Sequence, residues 1–164
     1  MSDTSLISHH PTVLLVNEHE LLGSLLDAYQ DLSPGQVREK GDLFQRIQEE
    51  LSRHIRTEEA IFYPALLEST DPRIPAPVEE VFSQHRALES LSANLSRMGP
   101  GENFDLLLAV LRSKTTAHME FEERNVFPLT RLLPRVSLTQ LGLEIEERQM
   151  HNGLLPGDEG PGIR

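Results

Sequence analysis

One motif occurs twice in this chain, first as His54-Ile-Arg-Thr-Glu58-Glu59-Ala-Ile-Phe-Tyr63-Pro64 and then as His118-Met-Glu-Phe-Glu122-Glu123-Arg-Asn-Val-Phe127-Pro128. The two copies share the histidine, the pair of glutamates, an aromatic residue and the proline at the same spacing. A lone histidine precedes each copy in a helical setting, His19 before the first and His85 before the second. The repeating unit is therefore a pair of helices that is used twice. A histidine followed by a duplicated His-x-x-x-Glu, converging in one small helical core, predicts a metal-binding site.

Four long segments have apolar residues at helical spacing, while alternation with a period of two is nowhere sustained. The predicted helices cover residues 11–31, 38–68, 76–98 and 103–133. Proline and glycine interrupt the pattern between them, as in Ser33-Pro34-Gly35 and Gly99-Pro100-Gly101. Because short connections favour antiparallel neighbours, we predict an all-α, up-down-up-down antiparallel four-helix bundle.

The chain length suits a single domain. We expect the bundle at residues 9–133, built of two tandem hairpins at 9–68 and 76–133, followed by a C-terminal extension at 134–164. In this extension, residues 137–150 predict a short fifth helix. Residues 152–164 are rich in glycine and proline, which predicts a frayed tail.

The charge balance narrows the class of partner. A net charge of -11, from 26 acidic and 15 basic residues, has the wrong sign for nucleic acid or an anionic membrane. We expect small molecules, metal cations or other proteins as partners, and a monomer or weak homodimer. Cysteine is absent, so any metal must be held by nitrogen and oxygen. Without a basic N-terminus or a long apolar run, the sequence predicts a cytoplasmic protein.

Side chains that can ligate metals interrupt the apolar stripe of every predicted helix. In the first helix, for example, His19 lies between Leu15 and Leu22 at spacings of four and three. The six such residues are His19, His54, Glu58, His85, His118 and Glu122. Burying Glu58 and Glu122 without a positive charge costs several kcal/mol each, which a bound cation offsets. The alternative is a metal-free bundle with buried His–Glu hydrogen bonds.

The chemistry of these ligands restricts the metal. Six nitrogen and oxygen ligands are too many for one tetrahedral zinc, and calcium sites use oxygen throughout. Two metal ions suit the set better, and imidazole mixed with carboxylate favours iron, with manganese or zinc as substitutes. Ferritin-like di-iron bundles use Glu-x-x-His instead, and this chain lacks that pattern on the relevant helices.

In their order and spacing the six residues resemble the signature of the hemerythrin-like family, the His-His-Glu cation-binding domain, over about residues 9–133. The resemblance implies a non-haem di-iron centre bridged by the carboxylates of Glu58 and Glu122. It also implies two terminal pairs of ligands, His19 with His54 on one side and His85 with His118 on the other.

The sequence departs from oxygen-carrying hemerythrins at one position. Those proteins have a fifth histidine one turn after the third-helix histidine, where this chain has Glu89. The resemblance therefore leaves Glu89, water or another side chain as the ligand at that place, and it disfavours a simple oxygen carrier. Alternatively, Glu89 is a solvated helix residue that pairs with Arg86 or Arg97.

Both copies of the motif end in a proline, Pro64 and Pro128, which removes a helical hydrogen bond and predicts a kink or a helix end. A kink would direct Tyr63 toward the metals as a candidate catalytic residue, although it is alternatively an ordinary core aromatic. Its counterpart, Phe127, lacks the hydroxyl.

Several other acidic and histidine side chains lie near or outside the motifs. The residues after the motif glutamates, Glu59 and Glu123, are either outward-facing or orient imidazoles. Outside the stripes, His9, His10 and His151 are predicted to be solvated.

Three functions follow from these features. The leading hypothesis is a di-iron protein that reacts with oxygen-derived small molecules, most concretely a catalase-like disproportionation of hydrogen peroxide. A second is a module that binds, senses or stores O2, NO or iron without turnover. In the third, the metal ions only stabilise the bundle.

Overall fold

A computed structural model of the chain describes residues 9–153. Helices dominate, and no strand occurs in this part of the chain. The α-helices are α1 Pro11–Gln30, α2 Val37–Thr57, α3 Tyr63–Leu67, α4 Pro75–Ser96, α5 Glu102–Asn125 and α6 Arg135–Gly153. A π-helical turn, Glu58–Phe62, joins α2 to α3 in one continuous rod, and a 3-10 turn, Phe127–Leu132, follows α5. The predicted all-α bundle is confirmed.

The four long rods pack as two hairpins. α1 packs against α2 in the first hairpin and α4 packs against α5 in the second, while α1 also contacts α5 and α2 contacts α4. Proline occupies the first turn of α1 and of α4, where its missing N–H costs no helical hydrogen bond. None of the described helices is both long enough and apolar enough to cross a bilayer.

Two apolar clusters fill the bundle, one on each side of the predicted metal ligands. The first contains Leu22, Leu51, Leu88 and Leu111 among its buried residues. The second contains Phe62, Tyr63 and Phe127 and extends to Leu141 and Ile145 of α6. The predicted ligands are buried polar residues between these clusters.

The predicted fifth helix, α6, begins earlier and ends later than residues 137–150 and packs chiefly on α1, α2 and the π-helical turn, all in the first hairpin. At Gly142 a Cβ atom would lie only 1.8 Å from the carbonyl oxygen of His9, so glycine permits this close approach. Residues 154–164, most of the predicted frayed tail, lie outside the described residues.

The two histidines before α1 have structural contacts, contrary to the expectation that they are solvated. The Nδ1 atom of His9 lies 3.0 Å from a carboxylate oxygen of Glu146 in α6. His10 is the N-cap of α1, and its ring nitrogen accepts a hydrogen bond from the N–H of Thr12. His151 is exposed.

Candidate metal centre

The six predicted ligands converge from four rods into one buried layer. His19 comes from α1, His54 from α2, His85 from α4 and His118 with Glu122 from α5. Glu58 is the first residue of the π-helical turn, one turn after His54. Exposure of the six side chains lies between 0% and 3%. Because each His-x-x-x-Glu spans one helical turn, both of its side chains reach the same layer.

Two groups of four residues share the carboxylates in this layer. One group is His19, His54, Glu58 and Glu122, and the other is Glu58, His85, His118 and Glu122. Within each group the ligand atoms all lie within 4.8 Å of one another. Glu58 Oε2 lies 3.3 Å from His54 Nε2 and 3.2 Å from His85 Nε2. Glu122 Oε2 lies 3.2 Å from His19 Nε2 and 3.3 Å from His118 Nε2, so each carboxylate lies between imidazoles of different hairpins.

The unpartnered atoms of the layer fit a bound cation. All four imidazole Nε2 atoms lack a hydrogen-bond partner although they are buried, and so do Oε1 of Glu58 and both carboxylate oxygens of Glu122. An unsatisfied buried polar atom costs about 1–3 kcal/mol. Nitrogen and carboxylate oxygen are ligands for zinc, manganese and iron, so the donor set matches a transition-metal centre.

The charges in the layer act strongly on one another. Burial acts to raise the pKa of Glu58, but the charge of His54 and contacts with other histidines outweigh it and lower the pKa to about 2. Burial raises the pKa of Glu122, and the negative charge of Glu58 raises it further. Burial lowers the pKa of His118 to about 3, so this imidazole is in the neutral form that ligates metals. A cation would relieve the repulsion between the two carboxylates.

Every imidazole in the layer is held at its outer nitrogen, Nδ1, by a residue next to a ligand in the sequence. The distances are 2.8 Å from His19 to Glu123, 2.7 Å from His54 to Glu18, 2.9 Å from His85 to Glu59 and 3.0 Å from His118 to Gln84. Because an ionised carboxylate can only accept, Nδ1 donates in the three carboxylate pairs and leaves Nε2 free for a metal. Such outer contacts fix the orientation and tautomer of ligating histidines.

The two motif prolines have different effects on the backbone. In the first copy the rod continues through the π-helical turn, where the N–H of Tyr63 bonds the carbonyl of Glu58, five residues back. This turn brings the Tyr63 hydroxyl to 3.2 Å from Glu58 Oε2, to which it donates. In the second copy α5 ends at Asn125, and Phe127 stacks on His19 with 5.4 Å between ring centroids.

A buried threonine lies one turn from the layer. Thr115 is 1% exposed and precedes His118 by three residues on the same face of α5. Its Oγ1 atom has no hydrogen-bond partner. In contrast, Thr57 satisfies its hydroxyl with the carbonyl of Arg53, four residues back. The Thr115 hydroxyl is therefore available to another group in the interior.

The structure does not bring every predicted ligand together. Glu89 is exposed on α4 and belongs to neither group of four. Both Glu59 and Glu123 orient imidazoles, which was one of the two readings of the sequence. Sequence reasoning missed the contacts of Glu18 and Gln84, whose signal was their shared position immediately before His19 and His85. It also missed the orphaned hydroxyl of Thr115.

A helical bundle with this buried histidine and carboxylate layer defines a metal-binding four-helix protein. The family model for the hemerythrin HHE cation binding domain matches residues 10–130. The chain belongs to the hemerythrin HHE family, as the resemblance of its motifs predicted, and it is a metal-binding protein of the class for which iron is typical.

One solved structure shows how far the fold is shared. It is a hemerythrin HHE cation binding domain-containing protein, an Rv2633c homolog from Mycobacterium kansasii. The two chains are 21% identical, the match covers 85% of each, and the TM-score is 0.71. At this identity the likeness supports the fold. A comparison with curated proteins found no match.

Proposed function

We propose that the protein is a non-haem di-iron protein that disproportionates hydrogen peroxide, converting two H2O2 into O2 and two H2O. The observation that supports this is the pair of four-residue groups that share Glu58 and Glu122. Each group offers two imidazoles and two carboxylates, so a six-coordinate ion would keep positions for water or substrate. A pair of iron ions supplies the two-electron exchange that peroxide chemistry requires.

The residues of the layer would hold the ions and set their surroundings. The inward Nε2 atoms of His19, His54, His85 and His118 would be the terminal ligands, and Glu58 and Glu122 would bridge. Apolar clusters on both sides exclude bulk water from the layer. In such surroundings a hydrogen bond is stronger than in water.

Two hydroxyls are the groups best placed to act on a bound small molecule. Tyr63 donates to the carboxylate of Glu58, which orients that carboxylate and keeps an ionisable proton beside the site. Thr115 has a free hydroxyl one turn from His118, and we assign to it the hydrogen bond to peroxide.

Metal content is the first test of this proposal. Protein purified from iron-supplemented cells without a chelating column is expected to contain close to two irons per chain by elemental analysis. A value near zero, persisting after anaerobic loading with ferrous iron, would mean that the buried layer is structural and would overturn the proposal.

Oxygen evolution from peroxide is the second test. Iron-loaded protein is expected to release O2 faster than the same amount of free iron. Thr115→Val, which removes the hydroxyl, should raise KM for peroxide while iron content stays unchanged, and Thr115→Ser should restore it. Thr139→Val, at an exposed position of α6, is the matched control. Two bound irons with a reversible spectral change under O2 or NO, but no O2 release, would replace catalysis by binding.

A further inference from the structure

The four outer hydrogen bonds of the imidazoles follow an approximate two-fold pattern. The residue after each motif glutamate accepts a hydrogen bond from a histidine of the other hairpin: Glu59 accepts from His85 and Glu123 accepts from His19. The residue before each lone histidine accepts a hydrogen bond from a histidine of its own hairpin, and here the two hairpins differ. Glu18 accepts from His54 with a carboxylate, whereas Gln84 accepts from His118 with a neutral amide.

This difference changes the charge around the two groups of ligands. Both histidines of the first group, His19 and His54, donate to carboxylates. In the second group His85 donates to a carboxylate and His118 to an amide. A carboxylate behind an imidazole makes the ring a better electron donor and adds a negative charge near the cation. A neutral amide supplies the orientation without that charge.

Other contacts of the two accepting residues do not remove the difference. Gln149 of α6 donates to Oε1 of Glu18, 2.8 Å away, but an amide donor leaves the carboxylate charged. Gln84 donates in turn to Oε1 of Glu80, 2.9 Å away, so that this carboxylate is separated from His118 by the amide and does not contact the ring. Glu89, on the same helix as His85, is exposed and lies outside both groups of ligands. The second group therefore has one negative charge fewer in contact with its histidines than the first.

We infer that the two metal positions bind divalent cations with unequal strength, that the His85 and His118 position is the weaker, and that Gln84 is the positioning residue responsible. The inference rests on the proposed two-metal centre. It makes the ion held by His85 and His118 the one that is loaded last and exchanged first.

Stepwise loading with Co2+, a probe that needs no oxidant, tests the inference. Metal-free protein is titrated with Co2+ while bound ions per chain and the visible absorption are recorded. The wild-type chain is expected to bind two ions in two separate steps. His118→Ala should keep the first, tighter step, whereas His54→Ala should lose it.

The charge at position 84 is then changed alone. Gln84→Glu supplies the missing carboxylate and is expected to tighten the second step by about tenfold, the lower end of the effect of outer contacts on metal affinity. Glu18→Gln gives both hairpins an amide and should weaken the first step by a similar factor. Gln45→Glu is the matched control, because it adds the same charge on an exposed face of α2, about 14 Å along the helix from His54.

These titrations distinguish unequal metal positions from the absence of a two-metal centre. Two bound ions of equal affinity, or steps that Gln84→Glu moves no more than Gln45→Glu does, would overturn the inference and leave the two-metal centre intact. No bound ion in the wild-type chain would overturn both. Helical circular dichroism of each variant shows that a lost step is not a lost fold.

Discussion

The two hairpins carry the same ligands in different surroundings. Each supplies a lone histidine and a His-x-x-x-Glu, and all six side chains are buried. Beyond the ligands the halves diverge: the first has Tyr63 and a π-helical turn, and the second has Phe127 and a 3-10 turn. The first also carries α6. The duplicated part therefore contains the candidate metal ligands, whereas the parts that differ are the ones that would make the two positions of the proposed centre unequal.

Metal removal tests the ligands that the two hairpins have in common. It should change the stability of the protein more than any substitution below. With free metal at about a thousand times Kd, each site adds about 4 kcal/mol to the free energy of unfolding. A chain of this size shifts in Tm by roughly 2–4 °C per kcal/mol. For the two sites of the proposed centre together, we expect chelation to lower Tm by at least about 16 °C in melts followed by circular dichroism. An unchanged Tm, with loss of metal verified by elemental analysis, would show that His–Glu contacts alone stabilise the layer.

Gly142→Ala tests the packing of α6 on the first hairpin, which the second hairpin does not share to the same extent. The new methyl would meet the carbonyl oxygen of His9 at 1.8 Å, so α6 or the start of α1 must move. Overpacking of this kind costs about 1–3 kcal/mol. Urea unfolding should detect the loss.

Gly41→Ala is the matched control for that substitution. It lies within α2 with nothing within 4 Å of the new Cβ, and it is expected to stabilise the chain by about 0.5–1 kcal/mol. Equal effects at both positions would mean that α6 does not depend on the close approach.

Substitution of Tyr63 by phenylalanine and of Phe127 by tyrosine tests the difference between the two aromatic residues that follow the motif glutamates. Tyr63→Phe removes a buried hydrogen bond to Glu58 and should cost about 0.5–1.5 kcal/mol. Phe127→Tyr instead adds a hydroxyl next to His19, where it must find a partner or cost about 1–3 kcal/mol. Denaturant unfolding of the metal-loaded variants should therefore rank Phe127→Tyr as the more damaging. The opposite ranking would show that the second hairpin already offers the hydroxyl an acceptor.

Much of this arrangement could be predicted from the sequence. The apolar period of the helices and the doubling of His-x-x-x-Glu predict the bundle and the positions of the ligands, because both depend on local spacing alone. The α6 contact was not predictable in this way, since Gly142 meets His9 only after the chain has folded. The sequence offered Glu59 and Glu123 as groups that orient imidazoles, but it did not predict which histidine each one contacts, because that histidine lies on another helix and the contact depends on how the helices rotate against one another.

The backbone around the two motif prolines could be predicted only in part from the sequence. The sequence indicates that Pro64 and Pro128 each remove a helical hydrogen bond. It does not indicate that one rod absorbs the loss through a π-helical turn while the other ends and continues as a 3-10 turn. Both turns lie beside the apolar cluster that includes Leu141 and Ile145 of α6, and the π-helical turn packs directly against that helix.

Gln149→Met tests the finest difference between the hairpins, the link from α6 to the metal layer. Gln149 donates to one oxygen of Glu18 while the other oxygen accepts from His54. Methionine keeps the length of the side chain but cannot donate. Because the Glu18 side chain is 14% exposed, water can replace the amide, so we expect a cost below about 1 kcal/mol.

Comparison of Tm in metal-loaded and metal-free protein distinguishes an effect of Gln149 on His54 from an effect on helix packing alone. Gln140→Met removes a similar amide contact, to Glu144 on the exposed face of α6, and is the control. If Gln149 steadies His54 through Glu18, its substitution should lower Tm more in metal-loaded than in metal-free protein, whereas the control should lower both equally. Equal losses for Gln149→Met in the two states would mean that α6 supports the first hairpin without influencing its histidine.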